Sequence, residues 1–154
     1  TLDIDPTSAG ELMNKYFERF GGIRDYLKTV VINAREKGYT ETILGRRRYL
    51  PDLNHENRQR REVAERAALN APIQGSAADI IKIAMLNVGK AIAESGVKSR
   101  LLLQVHDELI CEIAPGESEV LEKLVRKEMG IAYPLNAPLE VNVGFGKTWD
   151  LAAH

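Results

Sequence analysis

The sequence lacks the features that would commit it to a disulfide scaffold, a membrane or a repeat array. It holds one cysteine, Cys111, so no internal disulfide can form, and a zinc site would need more ligands of that kind. No apolar run approaches the roughly 20 residues that span a bilayer. No basic start leads into an apolar stretch, so there is no signal-peptide pattern. Charge of one sign is missing too: 21 basic and 22 acidic residues leave a net charge of −1, and the whole-chain balance does not announce a nucleic-acid partner. Internal repeats, low-complexity segments and linkers are absent. What remains is an ordinary composition, 44% hydrophobic and 28% charged over 154 residues, enough for one domain with a real core. These features predict a soluble, intracellular protein. The opening Thr1-Leu2-Asp3-Ile4 has no methionine, as expected of a piece cut from a longer chain.

Hydrophobic spacing gives the element order. Ser8 to Glu11 reads as a capping box, and Leu12, Met13, Tyr16, Phe17 and Phe20 follow at helical spacing until Gly21-Gly22. These aromatic positions read as core. A second helix is expected from about Ile23 to Lys37, closed by Gly38. Tyr39 to Leu50 reads as a short hairpin interrupted at Gly45. A helix from about Asn57 should bend or break near Pro72, because proline removes a backbone donor and disfavours helix at Ala71. It should resume near Gln74 and run to about Ala93. A strand–turn–strand occupies 98–113. A helix from about Glu117 to Met129 and a final strand from Leu139 to Phe145 complete the chain. Helices come first and an antiparallel ribbon later, so the expected fold class is α+β. Cys111 reads as a small core residue in a strand.

Three groups of residues could carry chemistry. Residues 104–108 read Gln-Val-His-Asp-Glu, between Leu101-Leu102-Leu103 and Leu109-Ile110. Asp107 and Glu108 fall where a tight hairpin turn is expected, with His106 beside them. Mg²⁺ binds oxygen ligands and takes one or two protein carboxylates plus substrate phosphates. The plain reading is a polar turn, since aspartate is a common turn residue. Histidine is not, and both flanking runs are those of buried strands. The second group is Arg46, Arg47, Arg48, Arg58, Arg60, Arg61 and Arg66, seven arginines against Asp52, Glu56, Glu62 and Glu65. Guanidinium matches phosphate oxygens in bidentate geometry. A solvated helix face laced by pairs such as Glu62–Arg66 explains the cluster equally well. The third group is Arg66, Asn70 and Gln74, spaced i, i+4, i+8 along one helical face. Every base pair offers minor-groove acceptors, so a row of donors there would test base-pair shape. A polar exposed stripe is the alternative. His55 and His154 have no partners at metal-ligand spacing.

Together these segments resemble the family A DNA polymerases. Val105-His106-Asp107-Glu108 is similar to motif C of that family. Tyr16-Phe17-Glu18-Arg19-Phe20, the block from Gly45 to Asp52, the block from Glu65 to Asp79, and Tyr133-Pro134-Leu135 resemble family sequence in the family's order, from roughly residue 11 to the end. Gly144-Phe145-Gly146-Lys147-Thr148-Trp149 is similar to the family's C-terminus. Gly21 departs from the pattern, where proline is usual.

The resemblance implies template-directed DNA synthesis by nucleotidyl transfer from a dNTP to a primer 3′-hydroxyl, with two Mg²⁺ ions as cofactors. Asp107 would be a metal-binding catalytic carboxylate, Glu108 an auxiliary one, and His106 would sit by the primer terminus. Arg66, Asn70 and Gln74 would contact the minor groove of the primer–template. Arg46, Arg47 and Arg48 would touch template phosphates. The expected layout is the C-terminal part of one polymerase domain: a helical fingers and palm segment over about 1–95, then a palm sheet segment over about 96–154 made of the motif C hairpin and the C-terminal strand. Motif A, with the second catalytic aspartate, and motif B, with the residues that grip the incoming nucleotide, are not in this sequence. Half of the metal's protein ligands are therefore missing, and the chain alone is expected to be inactive. Its partners would be primer–template DNA, dNTP and the remainder of the polymerase domain. The incomplete palm sheet predicts self-association through its open edge. The expected location is the bacterial cytoplasm, at the nucleoid. Two rivals stand beside this reading. A non-catalytic duplex DNA-binding module would keep the Arg66 face and lose catalysis. An HD-type phosphohydrolase would use the His106-Asp107 pair, but would need that segment to be helical.

Overall fold

The computed structural model describes residues 5–152, so Thr1-Leu2-Asp3-Ile4 and Ala153-His154 lie outside it. Helix α1 spans Pro6–Arg19 and is capped by Asp5. The Ser8 hydroxyl and the backbone N–H groups of Ser8 and Thr7 all donate to the Asp5 carboxylate. The Ser8 hydroxyl bond, with the backbone bonds behind it, holds the Asp5 carboxyl below its ordinary range. The cap is thus three residues before the expected Ser8. Asp5 stands directly before Pro6, and proline suits a first helical position because its missing N–H has no partner there anyway.

Helix α2 spans Gly21–Lys37. Gly21-Gly22 therefore begin the second helix instead of ending the first, and Phe20 is the joint, its N–H bonded to Tyr16 O. Gly38 closes α2 as expected, with φ 79° and its N–H on Ala34 O. Three of the four aromatic positions expected in the core are exposed, and Phe17 is half-buried. Tyr16, Phe20 and Tyr26 are 47%, 43% and 48% exposed, and the Tyr16 ring packs on Phe17 and Phe20 instead. The buried residues of this unit lie elsewhere, and they explain why.

Strand β1 (Tyr39–Glu41) pairs antiparallel with β2 (Arg47–Tyr49), with Tyr39 opposite Tyr49 and Glu41 opposite Arg47. A 3₁₀ turn at Pro51–Asn54 follows. Helix α3 then runs from Arg58 to Ser95 without interruption, so the break expected at Pro72 does not occur. A proline removes one bond of the ladder, and the ladder on either side is long enough to carry the helix past it. Strands β3 (Arg100–Val105) and β4 (Glu108–Glu112) form a second antiparallel pair. Helix α4 spans Ser118–Gly130 and a short α5 spans Trp149–Ala152.

The chain divides into two compact units, Thr1–Gly75 and Ser76–His154. The first is built around Ala34 of α2, Leu50 and Leu53 near the 3₁₀ turn, and Ala64 and Ala68 of α3. Three of those five are alanines, which let backbones approach closely. Arg35 of α2 pairs with Glu65 of α3, and the Asn54 amide donates to Arg35 O at 3.0 Å. Gly75 marks another close approach. A Cβ there would lie 2.5 Å from the Thr42 methyl, and the Arg46 guanidinium donates to Gly75 O at 2.8 Å.

The second unit buries Ile81, Ala84 and Ala132, with Ile80, Ile83, Leu109 and Met129 packed against them. Leu109 of β4 thereby fastens the hairpin to α3. Cys111 is half-buried in β4, and burial pushes its thiol pKa up, in keeping with a packing role. The final strand expected over 139–145 does not form. A strand exists only through its ladder, and the β3–β4 sheet has two strands. The segment is instead tied by the Arg126 guanidinium, which donates to Val141 O.

One polar knot fixes where β3 begins. The Glu117 carboxylate accepts from the backbone N–H of Lys98 and Ser99, and from the Ser99 hydroxyl at 2.7 Å. The buried Ser99 Oγ in turn accepts from Ala114 N–H at 3.0 Å. The Lys98 N–H bonds, followed by the Ser99 hydroxyl, hold the Glu117 pKa below its ordinary 4.5. A carboxyl with a depressed folded-state pKa contributes stability above its unfolded value and loses it as pH falls through the folded one. Glu117→Gln should therefore lower the melting midpoint at neutral pH, and the difference from the native chain should close in acid below pH 4.5. Ser99→Ala, which strands the Ala114 N–H, should cost about 1–3 kcal/mol by denaturant unfolding.

Candidate catalytic turn and nucleic-acid face

The second unit holds the acidic candidates. Val105 and Glu108 face each other as the last pair of the β3–β4 ladder, so His106 and Asp107 form a two-residue turn. The expected tip held Asp107 and Glu108 together. The structure puts Asp107 in the turn and Glu108 one step on, as the first residue of β4. The register follows from the flanking apolar residues: with Leu109 committed to the core, residues 106–107 are what is left to turn the corner. His106 takes φ 52°, the one non-glycine residue with positive φ among those described. That conformation is uncommon outside glycine, though histidine is among the residues enriched in it. Side chains held this way cost about 1–3 kcal/mol and cluster at functional sites.

His106, Asp107 and Glu108 are all exposed. Neither carboxylate accepts a hydrogen bond or forms an ion pair with the described residues. No group of three or more His, Cys, Asp or Glu side chains able to hold a metal is present among the described residues. Gln104 makes a contact that its position in the sequence did not announce. Its Nε2 donates to the backbone oxygen of His106 at 2.8 Å.

The first unit holds the basic candidates, and the structure sorts them. Arg46 is engaged with Gly75 O. Arg47 bonds Glu41 at 2.8 Å and lies over the Tyr39 ring, 4.5 Å from its centroid. Arg58 pairs with Glu62, and Arg60 grips Asp52 with two nitrogens. Arg61 donates to the carbonyls of His55 and Glu56. The expected Glu62–Arg66 pair is replaced by Arg58–Glu62, because Glu62 turns back one helical turn toward the N-terminus. Arg48 and Arg66 have no hydrogen bond or ion pair to the described residues. Local structure thus explains five of the seven arginines and leaves two. Arg66, Asn70 and Gln74 are all exposed on the unbroken α3, and their side chains make no hydrogen bond to the described residues. They form a row of unengaged donors along one side of the helix.

Comparison with known proteins sets these groups in context. The sequence pattern of DNA polymerase family A matches residues 1–151. The chain belongs to that family. It is 66% identical over 153 residues to DNA polymerase I of Mycobacterium bovis, and 62% identical over 153 residues to that of Mycobacterium leprae. Each match covers 99% of this chain but only 17% of the relative. Among solved structures, the POL domain of Pol1 from M. smegmatis in complex with DNA primer-template and dNTP superposes with a TM-score of 0.94 at 64% identity. That match covers 99% of this chain and 27% of the other. The chain therefore spans about a sixth of the length of the curated family A polymerases it matches.

The left-handed backbone at His106 gives a direct test of turn strain in this family A segment. His106→Gly should raise unfolding stability by about 1 kcal/mol, the relieved strain less the added freedom of glycine in the unfolded chain. The melting midpoint of the variant against the native chain measures it.

Proposed function

We propose that this chain is part of a template-directed DNA polymerase that transfers a nucleotidyl group from a dNTP to a primer 3′-hydroxyl. The observation that carries the reading is the pair of exposed carboxylates, Asp107 in the hairpin turn and Glu108 at the start of β4, with no hydrogen bond or ion pair to the described residues, in a family A chain. Two adjacent carboxylates with free oxygens are the donor set that Mg²⁺ accepts alongside substrate phosphates. Asp107 would be the principal ligand and Glu108 the auxiliary one. A bound Mg²⁺ supplies Lewis acidity and neutralises phosphate charge. Two carboxylates are a partial set for a two-ion site, and the second aspartate would come from the motif A part of the parent protein.

His106 would stand beside the primer terminus. Arg66, Asn70 and Gln74 offer donors to minor-groove acceptors, and having no hydrogen bond to the described residues leaves those donors available. Of Arg46, Arg47 and Arg48, Arg48 is the best placed to take a template phosphate, because Arg46 and Arg47 are already engaged. Primer–template DNA and dNTP as partners are supported by the M. smegmatis structure, which was solved with both. A location in the bacterial cytoplasm, at the nucleoid, goes with this reading.

In the parent polymerase, Asp107→Ala should cut primer extension about 100-fold or more, the several kcal/mol that a metal's charge supplies, while duplex affinity stays close to native. Extension that survives this change would remove Asp107 from the metal site and favour a DNA-binding module. Arg48→Ala should flatten the salt dependence of DNA binding by about one unit of slope, and Arg47→Ala by less. The 154-residue chain by itself, without motifs A and B, should not extend a primer in Mg²⁺ and dNTPs. Extension by the purified chain would overturn that.

A further inference from the structure

Two-residue hairpins use two backbone forms, type I′ and type II′. Both place the first turn residue at positive φ. They differ at the second, which is positive in I′ and negative in II′. Interconversion reverses the central peptide, the one linking the two turn residues. Here that peptide joins His106 to Asp107. His106 has φ 52°, and Asp107 is not among the residues with positive φ, so the signs are those of II′. Glycine is the usual occupant of that first position, and histidine bears strain there. Aspartate tolerates positive φ, so the I′ alternative is open to this sequence. Something must hold the turn in the less natural form.

The Gln104 carboxamide is placed to do so. Its Nε2 donates to the His106 oxygen at 2.8 Å, and that oxygen belongs to the peptide that would have to reverse. A reversed peptide would carry the oxygen to the opposite side, out of reach of Gln104. The bond is short-range in sequence and sits outside the ladder, whose last pairs are Gln104↔Leu109 and Val105↔Glu108. The ladder fixes where the turn falls but not which way its central peptide faces. Reversing that peptide would change φ at Asp107, and with it the rotamers open to the Asp107 side chain.

We propose that Gln104 is a positioning residue that selects the turn conformer and thereby aims the Asp107 carboxylate. The inference rests on the polymerase reading, with Asp107 as a metal ligand. It assigns Gln104 no contact with metal or substrate. A single exposed hydrogen bond biases the two forms by a modest factor, so its loss should weaken the metal site without abolishing it.

The test uses the parent polymerase with Gln104→Leu, which removes the donor and keeps the bulk, and Gln104→Asn, which is a methylene short. The readouts are the Mg²⁺ concentration for half-maximal primer extension, hydrogen exchange across 104–110 without metal or DNA, and the melting midpoint. Both variants should raise the Mg²⁺ requirement about three- to tenfold and speed exchange at the Asp107 and Glu108 amides, with the melting midpoint unchanged. In a His106→Gly background, where glycine itself favours II′, Gln104→Leu should change the Mg²⁺ requirement by about twofold or less. An unchanged Mg²⁺ requirement and unchanged exchange would overturn the inference, as would a loss confined to DNA affinity. If Asp107→Ala still abolishes extension in that case, the polymerase reading stands without it. If extension does not depend on Asp107, that reading falls first.

Discussion

Burial of α3 residues is the constraint on which each unit rests. Ala64 and Ala68, one turn apart, complete the core of the first unit, and Ile81 and Ala84 complete that of the second. Val88, fully buried, continues the second series by another turn. Two of the buried positions in the first part of the helix are alanines, so what packs there comes close to the backbone. Gly75 carries this furthest, admitting the Thr42 methyl where any Cβ would collide. In the first unit, the side of α3 away from Ala64 and Ala68 is left exposed. Arg66, Asn70 and Gln74 lie on that side without a side-chain hydrogen bond to the described residues.

Internal pairing is what separates structural charge from available charge. Arg60 is held by Asp52, and Arg61 by two backbone carbonyls of the loop before α3. Such groups have already given up much of their hydration and freedom, and drawing them to a phosphate would mean breaking bonds first. Arg48 and Arg66 carry no such cost. The same distinction applies to acids. Glu117 is saturated with donors and serves the fold, whereas Asp107 and Glu108 are left with none among the described residues.

Much of this was legible in the sequence, and the failures have physical causes. Helix periodicity placed α2 and α4, Gly38 placed a helix end, and the apolar runs placed the hairpin that carries Asp107. The Ser8-x-x-Glu11 pattern marks a cap one turn too late, because Asp5 already accepts from the Thr7 and Ser8 N–H groups. Pro72 signals a bend or break, but the ladder on either side carries α3 through without a break. The strand at 139–145 has the right alternation, but alternation records which side chains could be buried and not whether a neighbouring strand is there to pair. The same reason exposes Tyr16, Phe20 and Tyr26: periodicity finds an apolar face without saying what covers it. At the candidate site, residue identity and spacing single out Asp107, Glu108 and the Arg66 row, all of which are exposed. Spacing could not divide the arginine cluster, because Arg60–Asp52 and Arg46–Gly75 are contacts between segments. Nor could it find Gln104, whose role depends on the direction of one carbonyl.

The β3–β4 ladder contains an irregularity whose effect reaches the turn. Leu101 pairs with Cys111 and Leu103 with Ile110, so Leu102 has no partner across the sheet. It is a bulge residue, 53% exposed, next to Leu103 at 47%. Everything from Leu103 to Ile110 pairs in one unbroken phase, and everything below Leu101 in another. Removing Leu102 would merge the two phases and leave each remaining residue with its present partner. The three consecutive leucines are therefore not equivalent: two are rungs and one is slack. A change in strand length at that point would be absorbed where it occurs, and the turn would still present Asp107 to the same side.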